Sequence, residues 1–338
     1  MTKKMTMADI AELSGVGKST VSRFFNGGYV KQETREKIQK IIEEYNYKPN
    51  AFARLKAKQS RLIGVIVPTL NSKITGRVVT SIDRYLREKN YTTLIQSSDH
   101  DIDQELENIQ RLIQMNVDGI LISSIAITKD HRELFAETRI PIVVLAQEYE
   151  EGISIIDDDY SAGRYMGAYI GKTGHQKVGY IGVYETDVAV GIRRKQGVID
   201  GLKEYGITDL IIGKSDYSFI GGQTVAREIL EKAPDVDAMI CATDRLAFGA
   251  YKILQKAGKK IPEDVSVVGF GGYDESTLLT PELTTLKFDS YGMGYFGAET
   301  ILKMIQKKRV SKKQVVDYKF IKGGSVKNYR CAESPDLL

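Results

Sequence analysis

Apolar positions recur three and four residues apart over the first 45 residues, and short β-branched runs take over after residue 61. In the first stretch, Thr6 followed by Asp9 has the spacing of a capping box and opens a short helix in which Ile10 and Leu13 share a face. Gly15-Val16-Gly17 supplies a tight turn. A second helix from Lys18 to Asn26 turns Val21, Phe24 and Phe25 inward and leaves Lys18, Ser19, Ser22 and Arg23 outside, and Gly27-Gly28 ends it. A third helix from about Glu33 to Tyr45 buries Ile38, Ile41, Ile42 and Tyr45. Two helices joined by a glycine turn and braced by a third are a helix-turn-helix, whose second helix offers its first polar residues to a major groove; a plain three-helix bundle is the alternative on pattern alone.

Pro49 disfavours helix at Lys48, so residues 48–60 read as a hinge between a domain over 1–47 and a second over 61–325. The hinge has good helix formers but is too short to be helical by itself, which suits a segment that orders on binding. Beyond it, strand candidates Leu62 to Val67, Thr92 to Ile95, Gly119 to Ile122, Ile142 to Leu145, Val178 to Val183, Ala238 to Cys241 and Val265 to Phe270 alternate with helices such as Asp103 to Met115, Arg164 to Thr173, Gly222 to Lys232 and Arg245 to Lys256. Such alternation predicts α/β architecture with parallel sheets, helices on both faces, and ligands beyond the carboxyl ends of the strands.

Charge sharpens the division. Residues 1–60 carry 12 Lys/Arg against 6 Asp/Glu, a net +6, while the remaining 278 residues stand near −2. A basic, apolar-patterned module attracts a polyanion and releases its counterions. Within it, an Arg can donate two bonds to guanine O6 and N7, and Lys18 and Ser19 reach base edges or phosphates. Gly15-Val16-Gly17-Lys18-Ser19-Thr20 ends like a phosphate-binding loop, but the first glycine of that motif would fall on Glu12 and no apolar strand precedes it.

Other chemistry is sparse. Cys241 and Cys331 stand far apart with no CxxC, as suits a reducing cytoplasm. His100, His131 and His175 lack ligand spacing, and no HExxH or GxSxG is present, so no catalytic residue, metal or cofactor is expected. The one carboxylate cluster, Asp157-Asp158-Asp159, reads as a cap for a helix beginning near Ser161 rather than as a cation site. No run of 18 apolar residues occurs, and a carboxylate precedes any apolar stretch at the N-terminus, so neither a membrane partner nor a secretion signal is expected.

Met7 to Arg23, Thr34-Arg35-Glu36-Lys37-Ile38 and Asn46-Tyr47-Lys48-Pro49-Asn50 closely resemble the LacI/GalR family of bacterial transcription regulators. The resemblance continues through Arg193-Arg194-Lys195-Gln196-Gly197, Ala242-Thr243-Asp244-Arg245, Ile261 to Phe270 and Pro281 to Leu286, covering about residues 5 to 325. It implies a periplasmic-binding-protein-like α/β domain of two subdomains, 61–160 with 290–320 and 161–289, around a cleft. It further implies a cytoplasmic, nucleoid-associated homodimer on double-stranded operator DNA. Lys18, Ser19 and Arg23 would face the bases, with Thr6, Thr20, Ser22, Asn26 and Tyr29 nearer the phosphates. Leu55 would be the minor-groove wedge of the hinge, although Ala53-Arg54-Leu55 is one residue shorter than the family's Ala-Arg-Ser-Leu. An ordinary linker leucine is the alternative.

A sugar effector would meet Asn71, Lys73, Gln147, Arg194, Tyr217, Asp244 and Tyr273. Arg194 occupies the family's ligand arginine; Asp244 caps a helix, contacts ligand, or both; and Tyr217 and Phe219 stack on a sugar or pack in the core. The Gly-Phe-Gly-Gly-Tyr run at 269–273 resembles Gram-positive sucrose-operon repressors, which suggests sucrose. A catabolite-control regulator with a phosphocarrier-protein corepressor is the alternative within regulation. A sugar-binding transport component is the alternative outside it.

Overall fold

In a computed structural model that describes residues 5–25, 28–45, 47 and 59–330, Thr6 and Asp9 exchange hydrogen bonds across the first turn of helix α1, Met7–Ser14. The Thr6 hydroxyl accepts from the Asp9 amide and the Asp9 carboxylate accepts from the Thr6 amide, which forms the capping box. Gly15 ends α1 in the left-handed region at φ 67°, where a side chain would be strained. Helices α2, Lys18–Phe25, and α3, Gln32–Glu44, close over Ile10, Ala11, Val21 and Ile38, with Phe24, Phe25, Ile41, Ile42 and Tyr47 packed around them. Leu13 and Tyr45 differ from expectation, being 51% and 49% exposed. So small a module has too little interior to cover every apolar residue on its helices. Asn26 and Leu55 lie outside the described residues, as do all of the hinge but Gln59 and Ser60, and Cys331.

The chain divides into two compact units, residues 1–60 and 61–338. The second holds two six-stranded sheets. The first sheet runs β11-β5-β4-β3-β1-β2 and is parallel throughout, built from β1 (Leu62–Val67), β2 (Thr92–Ser97), β3 (Gly119–Ser123), β4 (Ile142–Leu145), β5 (Ser154–Asp157) and β11 (Lys313–Val316). The second runs β12-β10-β9-β8-β6-β7, from β6 (Val178–Val183), β7 (Leu210–Ser215), β8 (Ala238–Cys241), β9 (Ser266–Phe270), β10 (Thr284–Phe288) and β12 (Tyr318–Ile321), with only β12 antiparallel. Continuous apolar runs such as Val178–Val183, buried along their whole length, are what two-sided coverage by helices requires.

Three crossings join the sheets: Asp157 into helix α7 (Asp159–Lys172), Phe288 into α11 (Ser290–Ile305), and Val316 through Asp317 to Tyr318. Residues 290–320 therefore do not stay with the first sheet as expected. Helix α11 and β11 do, but Tyr318–Ile321 pairs with β10 in the second. Strands β5, β7, β10, β11 and β12 were not among the sequence candidates; β5, β11 and β12 have only four residues each and carry Asp or Lys. The remaining helices are α4 (Lys73–Glu88), α5 (Ile102–Gln114), α6 (Lys129–Glu137), α8 (Lys195–Lys203), α9 (Phe219–Lys232) and α10 (Asp244–Lys256), with a π-helical turn over Val188–Arg194 leading into α8.

Gly163, Gly167 and Gly201 let α7 and α8 approach until backbone meets backbone. A Cβ at any of them would collide with the carbonyl oxygen of Arg194, Val198 or Arg164 respectively. That close approach sets Arg194 beside Asp159, which begins α7.

Candidate functional site

On the first unit, α2 presents its start and one flank to solvent. Lys18, Ser19 and Arg23 are exposed, Thr20 and Ser22 are half-buried, and Tyr29 is 83% exposed. Val21 faces inward and anchors the helix from its other side. Thr6, exposed at the start of α1, is engaged in the capping box through its hydroxyl and amide.

In the second unit a cavity of about 360 Å³ opens where the carboxyl ends of the strands of both sheets meet. Asn71, His100, Gln147, Asp157, Asp187, Arg194, Tyr217, Tyr273, Phe270 and Phe288 are among its lining residues. Chambers of about 690 Å³, toward Lys73 and Arg77, and about 460 Å³, toward Lys313, adjoin it.

Arg194 is buried at its wall. Nε and Nη2 donate to Asp159 Oδ1, Nη1 donates to the Ala242 carbonyl at 2.7 Å, and the guanidinium lies 4.9 and 5.0 Å from the rings of Phe270 and Phe288. This fixed fork has two edges committed to protein. Asp187 accepts from the Tyr217 hydroxyl at 2.6 Å, the Gln147 amide at 3.1 Å and the Val190 backbone amide. The Tyr217 ring lies flat against His100, centroids 5.4 Å apart. Burial first and the Asp187 carboxylate second push the Tyr217 hydroxyl well above the usual phenol range, so it stays a donor.

The subdomains are tied across the cleft at several points. Arg77 donates to the Gly272 carbonyl at 3.1 Å, Lys73 pairs with Glu275 at 2.9 Å, Arg245 holds the Asn71 carbonyl, and Gln147 holds Asp187. Two left-handed residues, His100 and Ala146, line the cavity; such strained backbone concentrates at ligand sites.

Burial raises the Asp157 carboxyl to about 8, with the neighbouring Asp159 adding to the shift and Arg194 opposing it. The folded chain then binds more protons at this group than the unfolded chain, whose ordinary value is 3.8. Its contribution to stability is therefore present below about pH 4 and is lost as pH rises to about 8. Thermal unfolding at pH 5 and pH 8 should show the folded protein less stable at the higher pH, with Asp157→Asn reducing the difference; an unchanged difference in that variant would remove Asp157 as a source.

Residues 60–322 match the family described as periplasmic binding proteins and sugar binding domain of the LacI family, and residues 6–50 match the bacterial regulatory proteins of the lacI family. The chain belongs to the LacI family. It is 30% identical to the sucrose operon repressor of Staphylococcus xylosus over 92% of this chain and 97% of that one. It is also 30% identical to the ribose operon repressor of Haemophilus influenzae over 89% and 92%. The crystal structure of the lac repressor dimer bound to operator and the anti-inducer ONPF superposes with a TM-score of 0.86 at 26% identity, covering 96% of this chain and all of that one. This LacI-family chain is accordingly a DNA-binding transcription regulator rather than an enzyme, with a helix-turn-helix unit followed by a periplasmic-binding-protein-like one.

For a regulator of this family, the structure brings together Asn71, Gln147, Arg194, Tyr217 and Tyr273 at the central cavity and leaves two expected residues out of it. Lys73 lines the adjoining chamber and is engaged by Glu275. Asp244 is wholly buried behind the cavity: its carboxylate accepts from the Thr285 hydroxyl at 2.6 Å, the Tyr273 amide at 2.8 Å and the Ser276 hydroxyl at 3.1 Å. With its lone pairs so occupied it braces the loop that carries Tyr273, and Thr243, not Asp244, caps α10.

Within the carboxylate cluster the roles separate. Asp158 caps α7 through Ser161, Asp159 pairs with Arg194, and Asp157 lines the cavity. Among the described residues no group of His, Cys, Asp and Glu is arranged for a metal ion, and no helix is long and apolar enough to cross a membrane. His131 and His175 are buried structural groups bonded to Glu105 and Ser266. His100, Asp187, Phe270 and Phe288 were missed because each reaches the cavity from a strand end or from the loop after one, beside residues distant in sequence.

Proposed function

We propose that this LacI-family regulator represses a sugar-utilisation operon in the bacterial cytoplasm and is released from its operator by a small sugar. The observation that carries the reading is the pairing, in one chain, of a helix-turn-helix whose α2 exposes Lys18, Ser19 and Arg23 with a cavity of hydrogen-bonding and aromatic side chains at the strand ends. Lys18, Ser19 and Arg23 read bases, and Thr6, Thr20, Ser22 and Tyr29 lie toward phosphates, with Asn26 assigned there from sequence alone. The lac repressor's operator-bound dimer supports a homodimer here, which matches two helix-turn-helix units to a pseudo-palindromic operator. Leu55 is proposed as the hinge wedge. Sucrose is the first effector to try, on the likeness to the Staphylococcus xylosus sucrose operon repressor.

The effector contacts are Asn71, Gln147, Arg194, Tyr217 and Tyr273. Sugar in the cleft favours one closure of the two subdomains and loosens the hinge.

The test uses the full-length protein and a duplex selected by it from a random-sequence pool. Arg23→Ala should cost about 1–3 kcal/mol on the selected duplex and relax preference at one base pair, read by competition with point-substituted duplexes. Equal weakening on every duplex would make Arg23 a phosphate contact. Failure of the wild-type protein to enrich any sequence would overturn the repressor reading.

A further inference from the structure

We infer that Asp157 is itself an effector contact, and that with its neighbours it makes the central cavity a site for an uncharged polyol in preference to a sugar phosphate or a sugar acid. The inference rests on reading this cavity as the effector site and says which chemistry the site accepts.

Asp157 ends β5, where the chain leaves the first sheet, and lines both the central cavity and the chamber toward Lys313. Its Oδ1 is shielded from solvent and has no hydrogen-bond partner; among the described residues it is the buried, unpartnered side-chain oxygen that lines the central cavity. Leaving such an atom unpaired is unfavourable, so a group that binds there and bonds to it relieves that penalty.

The surroundings decide what that group can be. Asp157, Asp159, Asp187 and Asp216 line the cavity against two guanidiniums, Arg194 and Arg245, and no lysine. Arg194 is committed to Asp159 and the Ala242 carbonyl, whereas Arg245 gives one Nη1 hydrogen bond to the Asn71 carbonyl and keeps its charge. A phosphate or carboxylate entering here would lose its water and meet the Asp187 and Asp216 carboxylates, with Arg194 already paired to Asp159 and Arg245 the one cation among the described lining residues left to offset them.

Burial and Asp159 hold Asp157 largely protonated near neutral pH, so it presents a neutral acid able to donate or accept. A hydroxyl, which does both, is its natural complement. The rings of Tyr217, Phe270 and Phe288 offer apolar surface suited to the C–H faces of a sugar.

Calorimetric titration of the full-length protein with sucrose, glucose and ribose, beside glucose 6-phosphate, ribose 5-phosphate and gluconate, tests the inference. A neutral sugar should bind at least roughly tenfold tighter than its charged counterpart, the equivalent of one good hydrogen bond or one uncompensated charge. Asp157→Asn, neutral and of the same shape, should retain the neutral sugar to within about threefold, whereas Asp157→Leu should lose it about tenfold or more. A charged counterpart binding as tightly as the neutral sugar, or Asn failing as badly as Leu, would overturn the inference while leaving the effector reading in place. Silence with every compound, in a protein that still binds its selected duplex, would overturn the effector reading and the inference together.

Discussion

Replacing Arg194 by alanine should cost the regulatory unit about 3–5 kcal/mol, because it strips the partner from a buried carboxylate, Asp159, and removes the cation between two phenylalanine rings. Loss of effector response should accompany loss of stability rather than occur by itself. Denaturant unfolding reads the first and titration the second. The double variant Asp159→Asn with Arg194→Met should recover much of the stability, since it removes both charges and keeps apolar volume beside Phe270 and Phe288. Additive losses in the double variant would show that the two side chains are not an energetic pair.

Asp244→Ala should be nearly as damaging, and for a reason unrelated to ligand contact. It strands the Tyr273 amide, which cannot turn away, and the hydroxyls of Ser276 and Thr285, at about 1–3 kcal/mol for each buried group left unpaired. The unfolding midpoint should fall sharply. Titration well below that midpoint should show effector affinity reduced less than tenfold, through displacement of Tyr273 alone. A variant of full stability that binds no effector would put Asp244 back among the contacts.

These two residues also mark where reading the sequence stops. Whatever is local was legible. Thr6 and Asp9 are three residues apart and form the capping box that their spacing predicts, and Leu62–Val67, Ile142–Leu145, Val178–Val183 and Ala238–Cys241 are strands to the residue. Runs buried on both faces announce themselves by continuous hydrophobicity. Arg194 and Asp159, 35 residues apart, meet only because glycines on α7 and α8 let two helices touch, and a stripe of glycines says nothing by itself about which side chains it brings together. The same limit moved Asp244 from the cavity to the wall behind it, since its partners arrive from the loop after β9 and from β10. The third crossing, through Asp317, was hidden for another reason: β11 and β12 are each four residues long and join different sheets with a single residue between them.

In the function proposed above, one chain couples an operator-binding helix-turn-helix to a sugar cavity. Coupling of this kind is reciprocal, so a sugar that weakens operator binding must itself be weakened by operator to the same factor. The most direct measurement is the affinity of the full-length protein for its selected duplex, by fluorescence anisotropy, with and without a saturating concentration of the tightest-binding neutral sugar. A fall of about tenfold or more, matched by an equal fall in sugar affinity when operator is present, is the predicted result, equivalent to roughly 1.4 kcal/mol of coupling. Identical operator affinity with the cavity filled would contradict it.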